Sequence, residues 1–279
     1  MMGKELTLRE LQQVSLDIMK DIHRFCVEKG IRYSLAGGSL IGAIRHKGFI
    51  PWDDDMDVFM PRPDYERFRK TYKSENYKFF CHEDNHTDLM LFGRVCDCKK
   101  TIYRQERPWC KEECGIWIDI FPIDGTEDDE QCYIRNQARL KRLCKPFYRF
   151  RRQNHHIVKG DSWWSVAKTL VARIIGMNGL IPHLMFKKMN AIATKVDYES
   201  ANYWALFSFP NTKPVLRNKK DETEPYILVD FEDTQFYIFK GYDVYLRHQF
   251  GDYMQLPPEE ERHPKQYWIK FYWKNNERI

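Results

Sequence analysis

The 279-residue chain lacks any uncharged run approaching the roughly 18 apolar residues that a membrane-spanning helix needs. Its N-terminus, MMGKELTLRELQQ, has no apolar h-region. The expectation is therefore a soluble, cytoplasmic protein without a secretory signal. The sequence also lacks internal repeats, low-complexity tracts and Gly/Ser linkers, which argues against a solenoid and against a tethered module. Apolar residues make up 43% and charged residues 30%, a balance that excludes intrinsic disorder and supplies a core. Eight cysteines, at 26, 81, 96, 98, 110, 114, 132 and 144, are expected to be reduced thiols. Cys96, Cys98, Cys110 and Cys114 run C-x-C then C-x-x-x-C, a poor match to a zinc knuckle, so core packing is the simpler reading.

What the chain has in quantity is aromatic surface, with 8 Trp, 16 Tyr and 18 Phe. Its net charge of +5 conceals an asymmetry. Residues 131–196 hold 14 Lys or Arg against a single acid, Asp161, a local balance of +13 that leaves −8 elsewhere. Such a block points to an anionic partner (nucleotide, membrane surface or polyanion) or to a solvated helical face.

Thr7 and Glu10 form a capping-box pattern, the apolar spacing predicts a helix over 7–29, and Gly30 stops it. A strand is expected at Ile31–Ala36, a helix around Leu40–Arg45, a strand at 55–60 and a helix near Asp64–Tyr72. Further strands fall at Tyr77–Cys81, Leu89–Cys96 and Gly115–Phe121. Beyond Asp128 the periodicity is helical near 128–149, 162–175 and 182–196, followed by a strand pair at 226–230 and 234–239 and a short helix through Phe250. The reading is an α/β (α+β) catalytic half over 1–125 and a mostly helical, acceptor- or substrate-binding half over 126–279, within one compact unit or two.

The chemistry concentrates in AGGSLIGAIRHKGFIPWDDDMDVFMPRPDYERF, residues 36–68. Asp53, Asp55 and Asp57 alternate, so extended backbone throws their carboxylates onto one face and turns Asp54 away. Three like charges so close need protonation or a cation between them, and oxygen-only ligands favour Mg²⁺ or Mn²⁺. The alternative is an acidic surface loop, which accounts for Asp53 and Asp54 but not for Asp57 at the head of an apolar strand. Asp119, in GIWIDIF, shares a strand face with Trp117 and Phe121, and a charge there needs a metal or a partner such as Arg. If the two strands are neighbours, the carboxylates converge. Gly37, Gly38 and Ser39 turn a strand into a helix, offering N–H groups, a hydroxyl and a helix N-terminus to phosphate, while Arg45, His46 and Lys47 follow as cations. Trp52, Trp109 and Trp117 offer ring faces to a cation, or simply pack as core.

Taken together these segments resemble the LicD family, the phosphocholine-transferase-like branch of the nucleotidyltransferase superfamily to which the fukutin-related proteins also belong. GIWIDIFPIDG at 115–125 and YLRHQFGDYMQLPPEEERH at 245–263 extend the resemblance over about residues 7–263, weakest in the helical middle. The resemblance implies a nucleotidyltransferase-like mixed sheet with flanking helices, and donor phosphates at Gly38 and Ser39. It implies a divalent metal on Asp55 and Asp57, with Asp119 as third carboxylate and Asp53 extending the site. The implied catalytic set is Asp55, Asp57 and Asp119. The implied reaction moves phosphocholine, or a similar phospho-alcohol, from a CDP-linked donor (CDP-choline first) to a sugar hydroxyl of a cell-surface glycan, teichoic acid or lipid-linked precursor. No nucleic-acid partner is expected. The same carboxylates serve nucleotidyl transfer, so a nucleotidyltransferase of small molecules or sugars is the runner-up, and a non-catalytic polyanion binder is the third reading.

One segment is left over. Lys168–Lys188 mixes long apolar side chains with Lys168, Arg173, Lys187 and Lys188, and Trp163 and Trp164 precede it. It reads either as a helix, or two broken at Gly176–Gly179, lying on an anionic membrane, or as core packed against the catalytic half.

Overall fold

The structure is a computed structural model that describes residues 2–105, 108–109, 112–176, 179–207, 217–264 and 269–275. After β1 (Met2–Glu5), α1 (Leu8–Lys29) starts at a capping box in which the Thr7 N–H donates to Glu10 Oε2 at 2.7 Å and the Glu10 N–H donates to Thr7 Oγ at 3.3 Å. It ends at Gly30, whose φ of 59° suits glycine in the left-handed region. Its buried face carries Leu11, Ser15, Ile18, Ile22 and Phe25 at helical spacing. Then come β2 (Ser34–Leu35), α2 (Gly37–His46), β3 (Asp57–Pro61), α3 (Arg62–Thr71), β4 (Tyr77–Phe80), β5 (Gly93–Asp97), β6 (Thr101–Arg104) and β7 (Trp117–Thr126). The remainder forms α4 (Glu130–Arg149), α5 (Trp163–Ile175), α6 (Leu180–Ala193), β8 (Tyr203–Ala205), β9 (Asn218–Lys219), α7 (Lys220–Thr223), β10 (Tyr226–Phe231), β11 (Thr234–Phe239), α8 (Tyr242–Phe250) and β12 (Lys270–Lys274).

The main sheet runs β2-β3-β7-β5-β4, with β8 added to β7 and β9 to β8. Among the described residues only β3 and β7 pair in parallel and the other pairs are antiparallel, so the fold is α+β with a mixed sheet. β1, β12 and β6 form a second sheet, and β10 and β11 a hairpin.

Several boundaries differ from expectation. The strand expected over Ile31–Ala36 shrinks to Ser34–Leu35, because only two residues reach β3 before α2 starts at Gly37 rather than Leu40. β3 begins at Asp57, not 55. The strands β1, β6 and β12 went unseen, since each is short and is completed only by a distant partner. The second half, expected to be mostly helical, also carries β8 to β12 and sends Trp204 of β8 into the first half. Its ring lies 5.9 Å from Phe59 of the first half, and 5.3 and 5.9 Å from Phe239 and Tyr245 of the second. A separate apolar cluster joins α4 to α6 through Leu140, Cys144, Phe147, Phe186 and Met189. The described cysteines are free thiols; Cys110 lies outside the described residues.

A buried ion pair ties α3 to the sheet. Arg62 Nε and Nη2 donate to Asp124 Oδ1 and Oδ2 at 2.6 and 2.9 Å, and Asp124 is 1% exposed. Removing one partner strands the other's charge, so Asp124→Asn is expected to lower unfolding free energy by about 3–5 kcal/mol in urea titrations. The double change with Arg62→Met is expected to cost markedly less, because no uncompensated charge remains.

Candidate active site

Residues 53–56 form a loop leading into β3, not a strand. The alternation expected of extended chain therefore starts too late to separate Asp54 from its neighbours. Asp53, Asp54 and Asp55 each present a carboxylate oxygen, and these atoms lie within 4.8 Å of one another. Oxygen-only donors at that spacing fit a hard divalent cation such as Mg²⁺ or Mn²⁺. α1 braces the loop: Gln12 Nε2, buried, donates to the carbonyl oxygen of Asp53 at 2.9 Å and of Ile50 at 3.5 Å.

Asp57 follows at the first position of β3, where parallel pairing makes Asp119 of β7 its register partner. The two carboxylates thus share one face of adjacent strands. Asp57's backbone N–H donates to Ser39 Oγ at 2.9 Å, and its carbonyl accepts from the Ala36 N–H at 2.9 Å, which binds the head of α2 to the acid strand. Burial holds the Asp57 carboxyl well above its usual range, and the charges of Asp55, Asp119 and Asp53 push it further the same way. Arg94 opposes that shift. From β5, opposite Asp119, its Nε and Nη2 donate to Asp119 Oδ1 and Oδ2 at 2.5 and 3.3 Å. Burial raises the Asp119 carboxyl as well, against the opposing charges of Arg94 and Arg151.

The Arg94 guanidinium lies 4.4 Å from the Trp117 ring centroid and 4.8 Å from that of Trp109. Trp109 and Trp117 are buried and already serve this arginine, so they pack as core rather than waiting for a ligand cation. Half-buried Trp52 sits 5.8 Å from the Arg262 guanidinium.

The glycine turn closes against the same acids. Gly37 has a φ of 50°, and a Cβ on Gly38 would lie 2.6 Å from Asp53 Oδ2. Gly38 thus admits a carboxylate to the N-terminal turn of α2, where the helix dipole favours negative charge. Tyr245 of α8, buried, lies near the Gly37 backbone and feels the charge of Asp57.

The three cations do not join this turn as a group. Arg45, His46 and Lys47 occupy the far end of α2, about 11–14 Å along the axis from Gly38. Arg45 donates to the carbonyls of Tyr253 and Gln255 at 2.7 and 3.3 Å and to His46 Nε2 at 2.9 Å, although its charge still couples to Asp53. Lys47 is the exposed left-handed cap of α2, and its carbonyl accepts from the Glu232 N–H at 2.7 Å. The structure therefore gathers Gly38, Ser39, Asp53, Asp54, Asp55, Asp57 and Asp119, leaves Lys47 aside, and uses Arg45 mainly to hold the 253–255 backbone. Gln12, Arg94, Arg151 and Tyr245 escaped the reading of the sequence. Arg94 alone left a trace, as a lone cation inside an otherwise apolar strand.

Residues 30–160 match the model of the LicD/FKTN/FKRP nucleotidyltransferase domain. The lipopolysaccharide cholinephosphotransferase LicD of Haemophilus influenzae is 32% identical over 270 residues, covering 94% of this chain and 96% of that protein. The chain belongs to the LicD family. It is accordingly an enzyme of the LicD phosphotransferase type. A shorter match, 62% identical over 29 residues, links it to the human ribitol 5-phosphate transferase FKRP, over 10% of this chain and 6% of that one. An uncharacterized Rickettsia typhi protein is 37% identical over 68 residues, 24% of this chain and 22% of its own.

Two substitutions test the geometry. Gly38→Ala is expected to preserve the fold, since alanine favours the helix, while its Cβ displaces Asp53; Mg²⁺ affinity by calorimetry should fall about 10- to 100-fold. Asp57 carries a raised carboxyl, so its ionisation opposes folding progressively as pH climbs from the ordinary carboxylate range through the raised value. Asp57→Asn removes that penalty. At neutral pH without divalent ions it is expected to melt higher than wild type, with the gap closing in acid, and to lose stabilisation by Mg²⁺.

Proposed function

We propose that this enzyme transfers phosphocholine, or a closely similar phospho-alcohol, from a CDP-linked donor to a sugar hydroxyl of a cell-surface glycan precursor, in the cytoplasm and with Mg²⁺ or Mn²⁺. The observation that carries the reading is the Asp57–Asp119 register pair beside Asp53 and Asp55 at the head of α2, in a chain that aligns along 94% of its length with a lipopolysaccharide cholinephosphotransferase.

In this reading the acceptor hydroxyl attacks the phosphorus bearing the alcohol, the P–O bond to CMP breaks, and the hydroxyl proton passes to a carboxylate of the cluster. Asp53, Asp55, Asp57 and Asp119 would hold a divalent ion, which would supply charge neutralisation on the diphosphate. Gly38 and the first turn of α2 offer N–H groups to a donor phosphate, and Ser39, accepting from Asp57, keeps that turn in register with the acids. Arg94 holds Asp119 in a fixed orientation.

On the Arg151 side, an open pocket of about 1160 Å³ is lined by Lys145, Tyr148, Arg149, Arg151, Arg152 and Lys168 among others. Five cations on its wall suit an acceptor that carries phosphate. CMP release from CDP-choline, CDP-ethanolamine and CDP-ribitol, followed with and without Mg²⁺ and a lipopolysaccharide-type acceptor, tests the proposal. Metal-dependent turnover with CDP-choline leading is expected, and Asp55→Ala or Asp119→Ala should reduce it at least about 100-fold. Equal binding of ATP and CDP-choline, with no CMP released, would overturn it in favour of nucleotidyl transfer.

A further inference from the structure

α5 is amphipathic the wrong way round for a helix on the surface of a protein in water. Its one buried residue is Thr169. Trp163, Trp164, Leu170, Val171, Ile174 and Ile175 are all exposed, Trp163 at 66% and Ile174 at 67%. At about 100° per residue these six fall within an arc of about 140°, with Thr169 on the opposite side. The first turns of α6 extend the surface with Leu180, Ile181 and Leu184, of which Leu180 is 60% exposed. The reading of this segment as core fails here: α6 buries Phe186 and Met189 against α4, but α5 turns its apolar face outward.

Cations surround this face. Lys145, Arg149, Lys159, Lys168, Lys187 and Lys188 are exposed, and no ion pair among the described residues engages them. The one acid in the block, Asp161, accepts from the Val158 N–H at 3.0 Å and is tied into its own turn. Two copies of the chain pressed together here would bring cation against cation, whereas an anionic surface is complementary to both parts of the patch. The rings of Trp163 and Trp164 stack 3.7 Å apart at the start of α5, the residue type that settles at a lipid–water boundary. α5 by itself is too short to cross, because 13 residues span about 20 Å against a hydrocarbon core of about 30 Å.

We propose that α5 and the N-terminal turns of α6 dock the enzyme on an anionic phospholipid bilayer, lying in the plane of its surface. Lys168, Val171 and Ile175 belong both to this surface and to the wall of the basic pocket, so docking brings that pocket to the lipid headgroups. The docking itself stands apart from the proposed reaction, and its test reads no turnover.

Vesicles of phosphatidylcholine alone, or with one third phosphatidylglycerol, are floated with the full chain at low salt. Wild type is expected to float with the anionic vesicles at least tenfold more than with neutral ones. In about 1 M salt, where screening acts over about 3 Å, most of that excess should be lost. Each Lys near an anionic leaflet multiplies partitioning roughly fivefold, so the combined change Lys168→Glu, Lys187→Glu and Lys188→Glu should reduce flotation at least tenfold. Ile174→Asp, at an exposed position, should do the same with an unchanged circular dichroism spectrum. Wild type staying with the soluble fraction at low salt overturns the proposal, as does undiminished flotation of both variants. So does a lipid-free dimer, seen by light scattering, that Ile174→Asp dissociates, since the face would then belong to a second copy.

Discussion

The site rests on one pairing, the parallel register of β3 and β7, which sets Asp57 beside Asp119 on the same face of the sheet. Two carboxylates at that position repel, and burial raises the cost of charging either one. The neighbouring segments answer that cost. Arg94 on the next strand takes Asp119 in a two-point hydrogen bond, and two tryptophan rings hold the guanidinium where it is needed. α2 presents its N-terminal turn to the acids, with Gly38 giving Asp53 room and Ser39 binding the Asp57 backbone. Gln12 fixes the aspartate loop from below. A set of charges that would disperse in solution is held together by backbone register and by neighbours of opposite sign.

The second half serves this site from two directions. Trp204 and Tyr245 pack with Phe59 and Phe239 at β3, so the position of the acid strand depends on residues 145 to 186 positions after Phe59 in the chain. Arg151, just beyond α4, brings a further positive charge to Asp119 and opens onto the basic pocket. The helices beyond it are divided in use. α4 and α6 share an apolar seam of ordinary core, whereas α5 presents its apolar face outward.

Much of this was legible in the residues. The start and end of α1 follow from Thr7, Glu10 and Gly30, because capping is local chemistry that a few neighbours decide. The convergence of Asp57 and Asp119 was foreseeable as a condition: each heads or sits within an apolar strand, and only strand adjacency remained open. Asp54 does not turn away from its neighbours, because period-2 geometry holds only where the chain is extended, and residues 53–56 are loop. Arg45, His46 and Lys47 lie close to Gly38 in sequence, yet a helix converts seven to nine residues into about 11–14 Å of separation.

The family, the glycine turn, the acid cluster and the amphipathic character of α5 can be read from the residues alone, since each is written in short-range spacing and residue type. Which strand lies beside β3, that Arg94 rather than solvent meets Asp119, that the tryptophans serve that arginine, and that α5 faces outward emerge from the folded chain. These are long-range pairings, and no local periodicity encodes them. An apolar stripe specifies that a helix has a face to cover, but what covers it depends on where the rest of the chain has already packed.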